Sequence, residues 1–481
     1  MKSYRFLASR FSAQAASCGI VLAVAIALDS AVAPVRAAGE LTLQVVDAES
    51  GETIPCRMHI TNEEGKPQKV GRFPNWRGHF VFPGKVRLKL DRGTYYYIIE
   101  RGPEYNVASG HFIIETTSKN TTNQVELKRA ANLAEENWWS GDLHVHRPLK
   151  DIELLMKAED LHVAPVITWS NARNEWAKRP LPTEPVTAFD GNRYYDALAG
   201  EDERAGGTLL FFRLDKPLEL AGARGEYPSP AKFIAEARQQ PRAWIDAAKP
   251  FDWDLPLWLA GGLVDSIGLC NDHLCRDEVH DDEAGGKPRN AKRFPPPMGN
   301  ALWSQQIYHH VLNSGFRIPP SAGSASGERS NPLGYNRIYV WVDRQEFSYD
   351  KWWEGFKEGR VVVTNGPLIR PLANGRRPGH VFTARARETV TLDVRMSITV
   401  IDPVSHLEII QNGLVAQRVP FDQWLKRGLP LLHFDESGWF LVRAVTDRED
   451  TYRFASSAPW YVVIGDTPNR IEKQSVKFFL D

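Results

Sequence analysis

Cysteine is scarce in this chain, with 4 among 481 residues. Three of them, Cys56, Cys270 and Cys275, lie beyond the N-terminal segment, and an odd trio excludes a disulfide framework as the support of the fold. A surplus of charge is missing too: 59 Lys plus Arg stand against 59 Asp plus Glu. That balance excludes polyanion binding as the main role, so no nucleic-acid partner is expected. Also lacking is an apolar run of the roughly 20 residues that a bilayer span needs. The best candidate, from about Ala15 to Leu28, follows Lys2, Arg5 and Arg10 and precedes the small-residue stretch Val35-Arg36-Ala37-Ala38. This is the order of an export signal cleaved near Ala37 or Ala38. Residues 1–38 are therefore read as a signal peptide in preference to a membrane anchor. The mature chain is expected to be periplasmic or extracellular, with no membrane span, and Cys18 is removed with the signal.

A hydrophobic content of 42% over this length can bury a large core divided into two or three domains. Residues 39–129 alternate short apolar runs with turn signals such as Glu49-Ser50-Gly51 and Arg92-Gly93, the pattern of a β-sandwich. Gly93-Thr94-Tyr95, leading into an aromatic strand, resembles the carboxypeptidase-regulatory-like modules that serve as scaffolding. Residues 130–370 interleave strand and helix candidates. The strands are Gly141 to His146, Ala164 to Thr168, Leu209 to Leu214, Trp244 to Ala248, Val264 to Cys270 and Arg337 to Val342; helical spacing appears at Ile152 to Glu159, Pro230 to Arg238, Leu255 to Leu263 and Trp303 to Asn313. Such alternation predicts an α/β barrel, with its site at the carboxyl ends of the strands, where His144, His146, Thr168 and Asn271 fall. Residues 371–481 return to strand and turn, with Asn412-Gly413 as a strong hairpin signal, and predict a C-terminal β-sandwich.

Chemistry concentrates in Gly141-Asp142-Leu143-His144-Val145-His146, entered from Trp138-Trp139. On a strand, residues two apart share a face, so His144 and His146 can share a metal ion. With 13 histidines, a His-x-His is expected about 0.35 times by chance, so context has to carry the assignment. Asp142, the nearest acid in the run, is read as structural in preference to an acid–base role. Cys270-Asn271-Asp272-His273-Leu274-Cys275 has the wrong spacing for a zinc pair; a Cys270–Cys275 disulfide or plain burial fits it better. His273, just past a strand end, is placed either at the rim of the site or on the surface. Of His309 and His310, neighbours on a helix, only one can face inward.

Together, the Gly141 to His146 run, the central α/β order and the segment Gly359-Arg360-Val361-Val362-Val363-Thr364-Asn365-Gly366-Pro367 resemble the CehA/McbA-like metallohydrolases of the PHP (polymerase and histidinol phosphatase) superfamily. The likeness covers roughly residues 136–465. It implies a PHP-like distorted α/β barrel, flanked here by the two β-sandwiches, and metal-dependent hydrolysis of an amide, carbamate, ester or phosphoester. Several ligand positions depart from the superfamily pattern: Thr168-Trp169-Ser170-Asn171, Lys249-Pro250 and Ser324-Ala325-Ser326-Gly327 stand where acidic or imidazole ligands would be. A trinuclear centre is thereby excluded. The resemblance leaves His144, His146 and Glu201 as ligands of one divalent ion (Zn, Mn or Fe), which would bring a bound water toward a pKa of ~7.

Around that centre the candidate acids and bases are Lys249, His273, Asp142, Asp202 and His309. Lys249 would orient substrate, act as a base if burial lowers its pKa, or pair with Glu201 in place of a lost metal charge. Asn271, Trp169 and Ser324 are the candidate substrate-binding residues, Ser324 through the backbone of a small-residue loop. The 15 tryptophans, several near the strand ends, suit core packing or a platform for a small-molecule or carbohydrate-like substrate. The competing reading is a non-catalytic relative acting as a ligand-binding or surface-attachment protein.

Overall fold

The computed structural model describes residues 38–115, 121–467 and 470–480; the signal-peptide reading lies outside the described residues. Side-chain alternation builds the first part. In the strand Lys85–Asp91, Val86, Leu88 and Leu90 are buried while Lys85, Arg87 and Lys89 are exposed, because successive side chains leave opposite faces of a strand. Lys85–Asp91, Ala38–Asp47 and Thr121–Leu127 form one sheet. His79–Phe82, Cys56–Asn62, Gly93–Glu100 and Ala108–Ile114, with the short Asn75–Trp76, form a second. Leu41, Leu43 and Leu88 of one meet Met58, Phe80 and Tyr95 of the other in a shared core, so this region is a β-sandwich.

Buried ion pairs join the sandwich to the next segment. Arg57 Nε donates to Glu159 Oε1 at 2.6 Å. Asp160, held at φ 51° just after the helix Ile152–Ala158, receives Arg193 Nη2 at 2.6 Å, Arg129 Nη1 at 3.0 Å and Arg101 Nη2 at 3.4 Å.

The α/β class and its PHP-like barrel are overturned by the architecture of the rest. Strands take 41% of the described residues and helices 15%, and the largest sheet has 16 strands that run without a break from the central segment into the C-terminal one. Three physical reasons account for the difference. Apart from Gly299–Asn313, the intervening helices are short, seven residues in Ile152–Ala158 and six in Leu255–Ala260, too little to make a covering layer. Arg193–Arg204, a strand without a simple apolar signature, folds back on Gly207–Phe212 through Ala205-Gly206 and pairs with it antiparallel, as Gly207–Phe212 then does with Trp244–Ala247; an all-parallel order needs crossovers that this hairpin removes. Finally, Val361–Thr364 pairs with Arg337–Trp341 on one side and with Phe454–Ser457 on the other. The C-terminal strands thus extend the central sheet, although they also enclose a core of their own around Leu407, Ile409, Phe440 and Trp460.

Individual elements follow the sequence pattern closely. Val163–Ser170, Gly207–Phe212, Trp244–Ala247, Ser266–Cys270 and Arg337–Trp341 are strands, and Pro230–Ala237 and Gly299–Asn313 are helices. Asn412 (φ 50°) and Gly413 (φ 83°) turn the hairpin between Val404–Gln411 and Leu414–Pro420, since both central residues of such a turn need positive φ. The three cysteines are free and buried.

Candidate metal centre

The strand Trp138–Gly141 ends just before the histidines. The chain nevertheless stays extended, with Val145 bridged in parallel to Val166 on one side and Ser326 on the other. Hydrogen bonds from Leu143 N to Ala322 O (3.0 Å), His146 N to Ser326 O (2.8 Å) and Ile167 N to Val145 O (2.8 Å) hold it there. His144 and His146 flank Val145 and share a face, their ring centroids 5.0 Å apart. The small-residue loop makes this possible: a Cβ on Gly323 would overlap that of His144, and one on Gly327 (φ +108°) would overlap the His146 carbonyl. Asp142 accepts the backbone N–H groups of His144 (3.1 Å), Ser324 (2.9 Å) and Gly334 (2.7 Å), so its carboxylate shapes the backbone beneath the histidines.

Glu201 comes from Arg193–Arg204, between Ser170 and Leu210 of the neighbouring strands. Its Oε1 lies 3.1 Å from His144 Nε2 and its Oε2 3.5 Å from His146 Nε2. Ligand atoms of all three side chains fall within 4.8 Å of one another, and all three residues are buried. Burial works against a charged His144, but the hydrogen bond and charge of Glu201 more than offset it and hold the imidazole at about 9. Burial instead pushes His146 down to about 3. Glu201 is raised by burial, yet His144 and His146 keep it below the ordinary carboxylate range. His146 Nε2 is buried and makes no hydrogen bond among the described residues. A neutral imidazole with an unsatisfied buried nitrogen beside a carboxylate is what a divalent ion requires of its donors, so the residues present fit the ion implied by the motif.

Two side chains that the sequence pattern did not reveal face the other nitrogen of His146. Glu328 Oε1 lies 3.3 Å from Nδ1 and Arg173 Nη2 also 3.3 Å from it. If Nδ1–H donates to Glu328, the lone pair is left on Nε2, aimed at Glu201. Asp272 was missed as well, although it stands in full view between Asn271 and His273. Its Oδ2 accepts from Arg329 Nε at 2.9 Å while its buried Oδ1 has no partner among the described residues. Burial alone would raise this carboxyl, but Lys249, His273, His144 and Arg329 hold it well below the ordinary range.

Lys249 occupies this acidic margin, its Nζ 3.1 Å from Glu203 Oε1 and 3.4 Å from Thr208 Oγ1. Burial would lower its pKa, but Asp272, Asp252 and Glu203 raise it above the usual value. Its surroundings therefore keep it a cation rather than a base, and its ion pair is with Glu203 rather than Glu201. Asp252, beside it, is pushed up by burial to about 7. His273 Nδ1 donates to His280 O (2.9 Å), and its ring stands edge-on to Phe251.

Other expected site residues are spent on structure. Asn271 Nδ2 donates to Gly268 O and its Oδ1 accepts from His273 N. Trp169, 1% exposed, packs over Gly200 and donates to Leu198 O. Ser324 Oγ is bonded to both N and O of Asn336, and its N–H is taken by Asp142. Asp202 is bound by Arg204 and Asn171. His309 is buried against Trp439, and His310 meets Ser475. Of Trp138, Trp139, Trp169, Trp253, Trp258 and Trp303, Trp253 alone is exposed, which makes core packing the role of the other five.

No known protein family and no curated protein matches the chain, so the likeness to CehA/McbA-like enzymes rests on its motifs. Among solved structures, a group B streptococcus pilus 2b backbone protein is similar at 17% identity over 19% of this chain and 41% of its own, with a TM-score of 0.16. The Bacillus anthracis TIE protein is similar at 24% identity over 24% of this chain and 20% of its own, TM-score 0.16. The N-terminal four Ig domains of Dscam1 isoform 8.4 align at 9% identity over 89% of this chain and 99% of theirs, TM-score 0.14. The chain thus spans less than half the length of the first two, and likenesses at these scores carry no argument about fold or function.

Proposed function

We propose that this chain is a hydrolase dependent on one divalent ion, Zn, Mn or Fe, held by His144, His146 and Glu201. The reading is supported chiefly by three buried donors converging within 4.8 Å, one of them, His146 Nε2, lacking any hydrogen-bond partner among the described residues. The motif likeness to CehA/McbA-like metallohydrolases points the same way. Two imidazoles and a carboxylate leave coordination positions open, and an ion there supplies Lewis acidity for water to attack a carbonyl or phosphoryl centre. In this reading Glu328 orients His146 and Lys249 offers a fixed cation to a polarised oxygen. The substrate is a small amide, carbamate, ester or phosphoester.

Export to the periplasm or exterior belongs to the same proposal, supported by the basic, apolar, small-residue order of residues 1–38. No helix among the described residues is long and apolar enough to cross a membrane.

A second reading, a non-catalytic ligand-binding protein, is favoured by one observation: the His144–Glu201 pair is complete as an ion pair without any metal. Elemental analysis of protein purified without chelator separates the two. The hydrolase reading expects about one transition-metal ion per chain, as a three-ligand site provides, lost in His144→Ala and His146→Ala variants that still fold. A metal-free protein after growth and dialysis in replete medium would leave the binding-protein reading standing.

A further inference from the structure

A cavity of about 270 Å³ opens elsewhere in the chain, lined by Ile98 and Val107 of the N-terminal region, Arg276 and Tyr335 of the central one, and Ile401 and Arg453 of the C-terminal one. Its wall carries five arginines, Arg57, Arg276, Arg337, Arg448 and Arg453, against three carboxylates, Glu100, Glu159 and Asp402. Cations on the wall therefore exceed anions by two, and Asp450, which pairs with Arg448 from outside the wall, reduces that surplus to one.

Two of the arginines are fully engaged. Arg57 reaches Glu159 at 2.6 Å and Glu100 at 2.9 Å, and Arg337, 1% exposed, donates to the carbonyls of Gly334, Asp160 and Glu159. Arg448 is held through Nε, Nη1 and Nη2 as well, whereas Arg276 and Arg453 are under-used, since a guanidinium offers five N–H donors. Arg276 meets Glu100 through Nη1 at 3.0 Å, and the same nitrogen lies 3.0 Å from His59 Nε2. Arg453 gives Nη1 to Asp402 and Nη2 to Arg276 O at 3.2 Å, while its Nε is buried without a partner among the described residues. Arg448 shares Asp402 at 3.5 Å and pairs with Asp450. Beside these guanidiniums, Ile98, Val107 and Ile401 are 39%, 45% and 37% exposed, an unusual amount of water-facing aliphatic surface to gather on one cavity.

Surplus guanidinium donors next to uncovered aliphatic side chains define an amphipathic anion site. We infer that this cleft binds a small organic carboxylate, its head on Arg276 and Arg453 and its apolar body against Ile98, Val107 and Ile401. A carboxylate matches the planar fork of arginine, and its single charge matches the remaining surplus of one. The volume lies near the lower end of ligand pockets, roughly 300–1,000 Å³, which limits the body to a short chain or a single ring. The site is independent of the His144 centre.

Calorimetric titration of the full chain with octanoate tests it, with acetate, octylammonium and inorganic phosphate as comparison probes. Octanoate is expected to bind saturably with one site per chain, acetate far more weakly for want of a body, and octylammonium not at all. Arg276→Gln and Arg453→Gln should each weaken octanoate about tenfold or more, as loss of a charge-assisted hydrogen bond does. Ile98→Ser and Ile401→Ser change exposed side chains, so they leave the fold intact; they should weaken octanoate and leave acetate unchanged. The proposal fails if octanoate does not saturate, if octylammonium or phosphate binds as well, if the four variants bind like the wild type, or if His146→Ala abolishes binding and so relocates it to the metal centre.

Discussion

Asp160 and Glu201 are both buried carboxylates, 5% exposed each, and each faces cations brought from separate segments of the chain. Around Asp160 the cations are guanidiniums: Arg193 and Arg101 on Oδ1, Arg129 on Oδ2. Around Glu201 they are imidazoles, one charged and one neutral. Guanidinium stays protonated and has no lone pair to offer, so the Asp160 group can only be a junction. Imidazole can release its proton and present a lone pair, and His146 Nε2 is buried without a hydrogen-bond partner among the described residues. Burial is alike in the two places; the donor chemistry, and whether it is satisfied, separates a fastening between regions from a candidate site.

The sharpest way to break this comparison is to neutralise the junction. Asp160→Asn leaves the buried Arg101 and Arg193 and the half-buried Arg129 without their shared anion and should destabilise the fold by about 3–5 kcal/mol in denaturant unfolding. Metal stoichiometry should not change in the fraction that stays folded; a parallel loss of metal would mean that the two clusters form one unit.

Acid should act on the junction next. Burial and the Arg193 charge push His162, beside Asp160, from its ordinary 6.5 to about 3. A depressed histidine favours the neutral form, so its contribution is fully present above pH 6.5 and is lost as pH falls toward 3, by about 1.4 kcal/mol per pH unit. His162→Gln should remove that slope. Unfolding free energies of variant and wild type between about pH 7 and pH 5 that run parallel would contradict the assignment.

The smallest effect sharpens the other side. Glu328, half-exposed, touches His146 Nδ1 and carries little of the fold. Glu328→Gln should weaken metal affinity about 10- to 100-fold, the range for partners that orient a ligating histidine, with no change in unfolding midpoint. Unaltered affinity in a competition titration with a chromophoric chelator would assign the orientation of His146 to Arg173 alone.

Much of the local structure was legible in the sequence. The strands at Val163–Ser170, Trp244–Ala247 and Ser266–Cys270, the helix Gly299–Asn313 and the Asn412-Gly413 hairpin follow from period and turn chemistry alone. Arg193–Arg204 was not, because its sequence, Arg-Tyr-Tyr-Asp-Ala-Leu-Ala-Gly-Glu-Asp-Glu-Arg, hides a buried strand behind charges that find partners only in the fold. Missing it concealed the antiparallel hairpin, and with the hairpin went the correct fold class. Lys249 illustrates the same limit in the site. Its burial was foreseeable, but whether burial would lower or raise its pKa depended on Asp272, Asp252 and Glu203, which reach it from different segments.

By itself the sequence determined the periodicity of each element, the balance of charge and the pairing of His144 with His146 on one face, since these depend on neighbours a few residues away. Only the tertiary structure decided that Glu201 closes on that pair, that Glu328 and Arg173 compete for His146 Nδ1, and that the central and C-terminal strands share one sheet. Those outcomes rest on contacts between residues far apart in the chain, where packing and the need to satisfy buried charges, rather than local preference, select the partner.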